Sequence, residues 1–288
     1  MASLKSTVEY PKYTKDSIKA ALKSPMGEEV VWCVVEAPDD IAVYGKFFDA
    51  AAVKLQPSDI DGRRGCRNVE IIVSELHNEV EDIKLFGIRD SDYTRYTSSY
   101  VAPANVFLTD DRDVEMMMLK SSSVSTTLTE HDFSNKINDA VSAVRYLGYL
   151  RIFNEVEQIG CPFRNKVAKT SLMWCGRSKR LKPDYKTGQF NEFKPYCDAK
   201  SGHSVTSEEI SAWISSHALD SEPSSNICRG HDAVKLLSCM MTGTAFIDKT
   251  ILQKHITDSY SFDDFSTTRL YSDISAWAAA AGVAVFNL

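Results

Sequence analysis

The sequence predicts an α/β fold: a parallel sheet flanked by helices, followed by a mostly helical C-terminal region. Two observations support this prediction. Short apolar runs alternate with helix-like stretches up to about residue 125, with short connections between them, which is the pattern of a parallel α/β sheet. Beyond that point apolar residues recur at helical spacing, most clearly over Ile137–Val156.

Four runs have the composition of strands. Each is short and rich in β-branched or aromatic residues, as expected of strands buried on both faces. The predicted strands are Val30–Val35, Asn68–Ser74, Ile83–Ile88 and Asn105–Thr109.

Helices are predicted between and after these strands from apolar spacing and capping residues. They are Asp16–Lys23, Ile41–Phe48, about 74–81, a helix from Val114, Ile137–Val156, a helix opened by Thr206-Ser-Glu-Glu, and one that starts at Gly230. We expect a loop or capping stretch at 121–127 and an irregular, basic segment at 157–200. The predicted divisions are an N-terminal arm and helix (1–25), an α/β sheet domain (26–125) and a helical C-terminal region (126–288) whose basic irregular part covers about 160–190.

Composition narrows the class of protein. The net charge of −6 argues against binding nucleic acid through overall basicity, although a local basic groove is compatible with it. Seven cysteines without a Cys-x-x-Cys pair predict reduced, buried thiols. The first residues lack the apolar core of a signal peptide, and Ala276–Phe286 is too short to span a bilayer. We therefore expect a cytoplasmic protein.

Carboxylates follow three of the predicted strands. Glu36 comes after the first, Asp90 and Asp92 after the third, and Glu115 just past the fourth. Ligands of open α/β sheets bind at the carboxyl ends of the strands, and grouped carboxylates repel one another unless a cation lies among them. A single acidic motif is typical of a solvated loop, but three in succession predict a site for Mg²⁺ or Mn²⁺.

These motifs resemble a known family. Glu36-Ala-Pro-Asp-Asp40, Gly87-Ile-Arg-Asp-Ser-Asp92 and Asp113-Val-Glu115, each behind a strand, are similar to the Toprim domain. More narrowly they resemble the Toprim-like effectors allied to OLD nucleases, including those of the PARIS anti-phage defence system. Gly230-His-Asp232 resembles a C-terminal element of that family. One departure is Ala37, where the family has glycine.

The resemblance implies a metal-dependent endonuclease that hydrolyses phosphodiester bonds. Glu36 would be a metal ligand or general acid–base, Asp90 and Asp92 would bind the metal, and Glu115 would support a second or shared ion. Asp110, Asp111 and Asp113 compete with Glu115 for that role. The auxiliary candidates are Asp40, His231 and Asp232.

A basic stretch between Phe163 and Gly188 is the predicted nucleic-acid contact. Cations concentrate there, and Asp184 is the one acid. The aromatic residues Phe163, Trp174 and Tyr185 are interleaved with the cations, and we expect unpaired nucleotide bases to stack on their rings. The alternative is a solvated loop. The basic side chains are Arg164, Lys166, Lys169, Arg177, Lys179, Arg180, Lys182 and Lys186.

Two other functions compete for the same residues. Asp90-Ser-Asp92-Tyr-Thr94 also matches the strand end of haloacid-dehalogenase-like phosphatases, in which the first aspartate is the nucleophile. The expected Gly-Asp-x-x-x-Asp pair is not found downstream. The third reading is a Toprim-like binding module without catalysis.

Partners follow from the resemblance and from a missing motif. OLD-type systems couple the nuclease to an ATPase, and this chain has no Gly-x-x-x-x-Gly-Lys-Ser/Thr loop. The resemblance therefore implies a separate ABC- or SMC-like ATPase that sequesters the chain until a phage trigger releases it. The released effector would be a homodimeric, abortive-infection toxin that cuts tRNA.

Overall fold

The computed structural model describes residues 13–24, 30–97, 99–127, 133–163, 166–241 and 248–287. The strands in these ranges are β1 (Val31–Val35), β2 (Val53–Pro57), β3 (Leu85–Arg89), β4 (Val106–Leu108), β5 (Trp174–Cys175) and β6 (Arg180–Leu181). The helices are α1 (Thr14–Leu22), α2 (Pro38–Tyr44), α3 (Cys66–Glu79), α4 (Val114–Lys120), α5 (Ser122–Thr127), α6 (Phe133–Val156), α7 (Thr170–Met173), α8 (Tyr185–Ser201), α9 (Ser207–Ser216), α10 (Ser224–Ile227), α11 (Gly230–Met240), α12 (Lys249–Ser259), α13 (Phe262–Ser266) and α14 (Arg269–Ala280).

The chain has the predicted α/β fold. Strands β1 to β4 form one sheet in the order β2-β1-β3-β4, and every neighbouring pair is parallel. All residues of β1 and β3 are buried, which explains why their sequences are continuously apolar. The remaining two strands form a short antiparallel hairpin.

The described residues divide into two compact units. Unit 1 combines the chain up to Asp90 with Val101–Thr109 and Ser266–Leu288, and unit 2 consists of Ser91–Tyr100 and Asp110–Phe265. Unit 1 holds the parallel sheet with α1, α2, α3 and α14, whereas unit 2 is helical apart from the hairpin. The divisions predicted at residues 25 and 125 assume that each part is one continuous stretch of chain, whereas each unit combines stretches that are separate in the sequence.

In unit 1, close packing joins helices to the sheet. Gly87 in β3 lies so near α3 that a Cβ there would come within 2.6 Å of Val69 and 2.9 Å of Val73. The Trp277 ring of α14 lies 4.8 Å from Phe86 of β3. The C-terminal stretch therefore belongs to the core of the sheet unit.

In unit 2, helix α6 packs against α8, α10 and α11. Gly148 allows the closest approach, because a Cβ at that position would lie 2.5 Å from the Ile227 carbonyl oxygen of α10. The helix predicted over Ile137–Val156 is confirmed as part of α6, but its amphipathic character does not extend to Leu147–Ile152, where every residue is buried.

The strand predicted at Asn68–Ser74 is wrong, because these residues lie within α3. Val69, Ile72, Val73 and Leu76 form one buried helical face, with the spacing that packs a helix on a sheet. The short β-branched run hides this period, since a buried strand and a buried helix segment look alike over a few residues.

Strand β2 was not predicted. It occupies the edge of the sheet, and it contains Lys54 and Gln56 and ends at Pro57. An edge strand tolerates polar residues and proline because one of its sides needs no partner strand. Its composition therefore gives a weak strand signal.

The segment predicted as irregular at 157–200 is largely ordered into α7, the hairpin and α8. Gly188 and Pro195 lie inside α8 and disguise it as loop sequence, yet Phe190, Phe193 and Cys197 make a buried face. Likewise, 122–127 is the short helix α5 rather than a loop.

The cysteines are free thiols, as predicted. The expectation that all are buried is wrong for Cys66, Cys175 and Cys239, which are partly exposed. No helix among the described residues combines the length and apolar character that crossing a membrane requires.

Candidate active site

Unit 1 brings two of the predicted site residues together. Strands β1 and β3 are parallel neighbours, so Glu36 and Asp90, each the residue directly after its strand, lie at the same edge of the sheet. The Asp90 backbone N–H donates to Glu36 Oε1 at 2.9 Å. Both residues are half-buried, so the Glu36 carboxylate is held in one place while solvent can still reach the pair.

The turn after Glu36 is built without glycine. Ala37 has an extended backbone with φ of −143°, so the alanine that departs from the family pattern causes no strain here. Its N–H donates to Asp40 Oδ2 at 2.8 Å, and Pro38 supplies the first residue of α2. Asp40, predicted as auxiliary, thus holds the start of the helix behind Glu36.

A buried arginine beside Asp90 escaped the sequence analysis. Arg89, the last residue of β3, forms an ion pair with Glu70 of α3, and its Nε donates to the Asp90 carbonyl oxygen at 3.0 Å. A buried guanidinium needs its ionic partner in place. Arg89 therefore anchors the backbone that carries Asp90. The feature of the sequence that could have revealed this role is its position at the end of a predicted strand, directly before Asp90.

Cys66 is a second residue that sequence reasoning missed. Its Sγ lies within 4.8 Å of a carboxylate oxygen of Glu36, at the first residue of α3. Thirty positions separate the two residues, and only the packing of α3 beside β1 reveals the proximity. A thiolate is a softer ligand than a carboxylate and suits ions such as Zn²⁺ better than Mg²⁺.

Asp92 belongs to unit 2 and has an uncommon backbone conformation, with φ of +43°. Its N–H donates to the Arg112 carbonyl oxygen at 2.8 Å. The guanidinium of Arg112 is buried, lies 4.3 Å from the centre of the Tyr93 ring, and donates to the Ile227 carbonyl oxygen at 2.8 Å. Arg112 therefore supports the turn that carries Asp92.

Glu115 lies in the first turn of α4, behind the N-cap Asp113. Asp113 is buried and accepts hydrogen bonds from Met116 N at 2.9 Å and from Gly230 N at 2.9 Å. Burial and the nearby charge of Glu115 raise the pKa of Asp113 to about 7. Asp113 thus has a structural role, whereas Glu115 is half-buried and its role as a metal ligand stays a prediction.

Of the other acids near Glu115, the Asp111 carboxylate is engaged in an ion pair, whereas the contact at Asp110 is to its backbone. Asp111 is buried and pairs with Lys120 at 2.9 Å, and the Asp110 carbonyl oxygen accepts a hydrogen bond from Arg95. Glu36 and Asp90 are in unit 1, and Asp92 and Glu115 are in unit 2.

Of the auxiliary candidates in α11, Asp232 is structural. It is buried and pairs with Arg151 of α6 at 2.9 Å. His231 is exposed on the same turn, and Lys249 Nζ lies 3.0 Å from its Nδ1. Packing around the imidazole, together with the charges of Lys249 and Arg229, lowers the pKa of His231 to about 4.

The basic stretch is built around the hairpin of β5 and β6. Arg177 and Lys179 lie in its turn, Arg180 lies in β6, and all three are exposed, as is Lys166; Lys169 is half-buried. Arg164 lies outside the described residues. The stacking role predicted for Phe163 is wrong, because its ring is buried against Phe193.

Comparison with known proteins does not assign this chain to a family. No protein-family model matches this chain, and no curated protein matches it either. The resemblance to Toprim nucleases therefore stays a prediction from the motifs.

Proposed function

We propose that this chain is a metal-dependent nuclease of the Toprim type. The observation that supports the proposal is the pairing of Glu36 with Asp90 in unit 1, where the carboxyl ends of two buried parallel strands meet and Asp90 N–H orients the Glu36 carboxylate at 2.9 Å. Strand ends of open α/β sheets are where such folds bind ligands.

The donors we propose in unit 1 centre on Glu36. Carboxylate oxygens are the ligands that Mg²⁺ and Mn²⁺ prefer, and Glu36 supplies one within 4.8 Å of the Cys66 sulfur. Metal binding by the Asp90 carboxylate stays a prediction from the sequence, because the Asp90 backbone makes the contact with Glu36. When bound, the ion would polarise a phosphoryl oxygen and lower the pKa of water. Glu36 would also be placed to take or return a proton. Metal binding by Asp92 and Glu115 stays a prediction from the sequence.

The substrate we propose is nucleic acid, with tRNA favoured by the family resemblance. The exposed cations Arg177, Lys179 and Arg180 on the hairpin support this choice, since phosphate contacts from lysine and arginine provide most of the affinity for a nucleic-acid strand. They give an acidic chain a local positive surface.

The cellular role we propose rests on the resemblance alone. It is that of a cytoplasmic toxin effector in anti-phage defence, sequestered by a separate ATPase and active as a homodimer after release. Co-purification with an ATPase encoded beside it, and toxicity when the chain is expressed alone, are the expected observations.

The central experiment is cleavage of tRNA and of DNA by the purified full chain with Mg²⁺ or Mn²⁺. Glu36→Gln and Asp90→Asn should each lower the rate by about 10²- to 10⁴-fold, and excess EDTA should abolish it. Glu81→Gln and Asp139→Asn remove matched carboxylates at exposed positions and should cleave like the wild type.

Several outcomes would contradict the proposal. A wild type that leaves every nucleic acid intact with either ion would end it, and so would full activity of Glu36→Gln. Hydrolysis of a phosphomonoester that is lost in Asp90→Asn but kept in Glu36→Gln would favour the phosphatase instead. Unchanged circular dichroism and Tm of each variant would confirm that the fold is intact.

A further inference from the structure

A second concave site lies in unit 2, at the start of α11. It is a pocket of about 310 Å³, near the lower end of the volumes typical of small-molecule sites. Basic side chains from α6, from α11 and the residue before it, and from α12 line it. The polar lining residues are Arg151, Arg229, His231, Asp232, Lys235 and Lys249.

The charges in this pocket do not cancel. Arg151 is neutralised by Asp232, with two contacts of 2.9 and 3.0 Å to the same carboxylate oxygen. Within the part of the chain that the structure describes, neither Arg229 nor Lys235 forms an ion pair with a carboxylate. Arg229 and Lys235 therefore leave two positive charges in the lining, beside the Lys249 ammonium that contacts His231.

His231 adds hydrogen-bonding capacity rather than charge. Lys249 Nζ lies 3.0 Å from its Nδ1 and 3.1 Å from its Nε2. Because packing and the neighbouring cations lower the pKa of His231 to about 4, the imidazole is neutral at pH 7. The cations repel further positive charge, and that repulsion is relieved when an anion enters the pocket.

We propose that this pocket binds the terminal phosphate of a phosphomonoester. A phosphomonoester carries a charge of about −1.5 to −2 at pH 7, and it balances the two charges of Arg229 and Lys235 better than the single charge of an internal diester. Arginine and lysine are the usual phosphate ligands of proteins, and the pocket also adjoins the first residue of α11, where backbone N–H groups favour anions.

The phosphate could come from two sources: a free nucleotide, or the phosphorylated end of a nucleic-acid strand. The second source rests on the proposed nuclease function, in which the strand end is a substrate or product group. Binding itself requires no cleavage, so it is measured in EDTA.

The experiment measures binding of the full chain to short oligoribonucleotides with a phosphate or a hydroxyl at the 5′ end, and to a second pair that differs at the 3′ end. Fluorescence anisotropy reports the Kd, and AMP and inorganic phosphate serve as competitors. We expect at least one phosphorylated oligonucleotide to bind about tenfold or more tightly than its hydroxyl counterpart. AMP that competes at the same concentration as the strand identifies the nucleotide as the source, and much weaker competition identifies the strand end.

The double variant Arg229→Gln/Lys249→Gln should lose this preference, so that the two oligonucleotides of a pair bind alike. Lys200→Gln removes an exposed charge elsewhere in unit 2 and should keep it. Lys235→Gln, a single change in the same lining, should weaken the preference. It keeps the test possible if the double variant does not fold, which a measurement of that variant's Tm shows.

Equal binding of phosphorylated and hydroxyl strands, or a preference that survives in the double variant, would overturn the proposal. Glu36→Gln separates the two hypotheses, because it should lose cleavage and keep the phosphate preference. Phosphate binding by a wild type that cuts nothing would leave this pocket standing and remove the nuclease function.

Discussion

Gly230 allows two helices to approach closely because it has no side chain. It begins α11, and its N–H donates to the buried Asp113 carboxylate that caps α4. A Cβ at this position would overlap that of Glu115 and would come within 2.6 Å of Asp113 Oδ1 and 2.8 Å of Met116 N. The close approach requires glycine because backbone and capping atoms, rather than flexible side-chain ends, surround the position.

Gly230→Ala should therefore destabilise unit 2 by about 1–3 kcal/mol, as expected of overpacking. Gly188→Ala is the matched control. It lies within α8 with its nearest neighbour at 3.9 Å, so the same change should stabilise the protein by about 0.5–1 kcal/mol. Thermal unfolding followed by circular dichroism measures both. Equal Tm values for the two variants would contradict the close approach.

Asp264 shows how one carboxylate joins separate elements. From α13 it accepts hydrogen bonds from Ser122 Oγ at 2.8 Å, from Ser123 N at 3.0 Å and from Ser261 Oγ at 3.0 Å. Ser122 and Ser123 are the first residues of α5, where an acceptor satisfies N–H groups without helical partners. Partial burial would raise the pKa of Asp264, but the hydrogen bonds from Ser123 and Ser122 outweigh it and lower that pKa to about 2.

Asp264→Asn should lower the stability of unit 2 by about 1.5–3 kcal/mol at pH 7, because an amide nitrogen cannot accept these hydrogen bonds. The folded-state pKa lies below the unfolded value of about 3.9, so this contribution is complete above about pH 4 and is lost as the pH falls toward 2. The Tm difference between variant and wild type should accordingly shrink from pH 6 to pH 3. A constant difference over that range would show that the charge of Asp264 is not responsible, and Asp139→Asn provides the exposed control.

At the scale of elements, sequence reasoning succeeded where neighbouring residues decide the structure. Thr206 and Glu209 form the predicted capping box of α9, and β1 and β3 are strands buried on both faces. It was wrong for α3, where the buried face depends on which side meets the sheet, and it missed β2, whose edge position permits polar residues. Glu36 and Asp90 were predicted correctly as neighbours because parallel strands present their carboxyl ends at one edge.

In the whole molecule, each of the two units is assembled from stretches that are separate in the sequence. Helix α14 follows the helical region in sequence but belongs to the sheet unit, where Ile274 is fully buried and Phe286 stacks on Phe48 at 5.2 Å. The backbone continues this contact, since Asn287 N donates to the Phe47 carbonyl oxygen at 2.9 Å.

Ile274→Ala should therefore destabilise the sheet unit by about 2–5 kcal/mol. Hydrogen–deuterium exchange gives the location: amides of β1 and β3 should exchange faster, while those of α6 and α11 should not change, because a cooperative unit opens together. Ser272→Ala, at an exposed position of the same helix, should exchange like the wild type. Faster exchange confined to α6 and α11 would instead support the boundary predicted near residue 125.

Residue types along the chain were sufficient to predict the class of fold, the two central strands, and the carboxylates that follow them, because burial on both faces and strand-end position leave a local record in residue type. Three features required the folded chain: which apolar run is α3, that β2 completes the sheet edge, and that α14 packs in the sheet unit. It also revealed Arg89 and Cys66 beside the predicted site and the basic pocket at α11. These features depend on contacts between residues far apart in the chain, and such contacts leave no periodic pattern in any one segment.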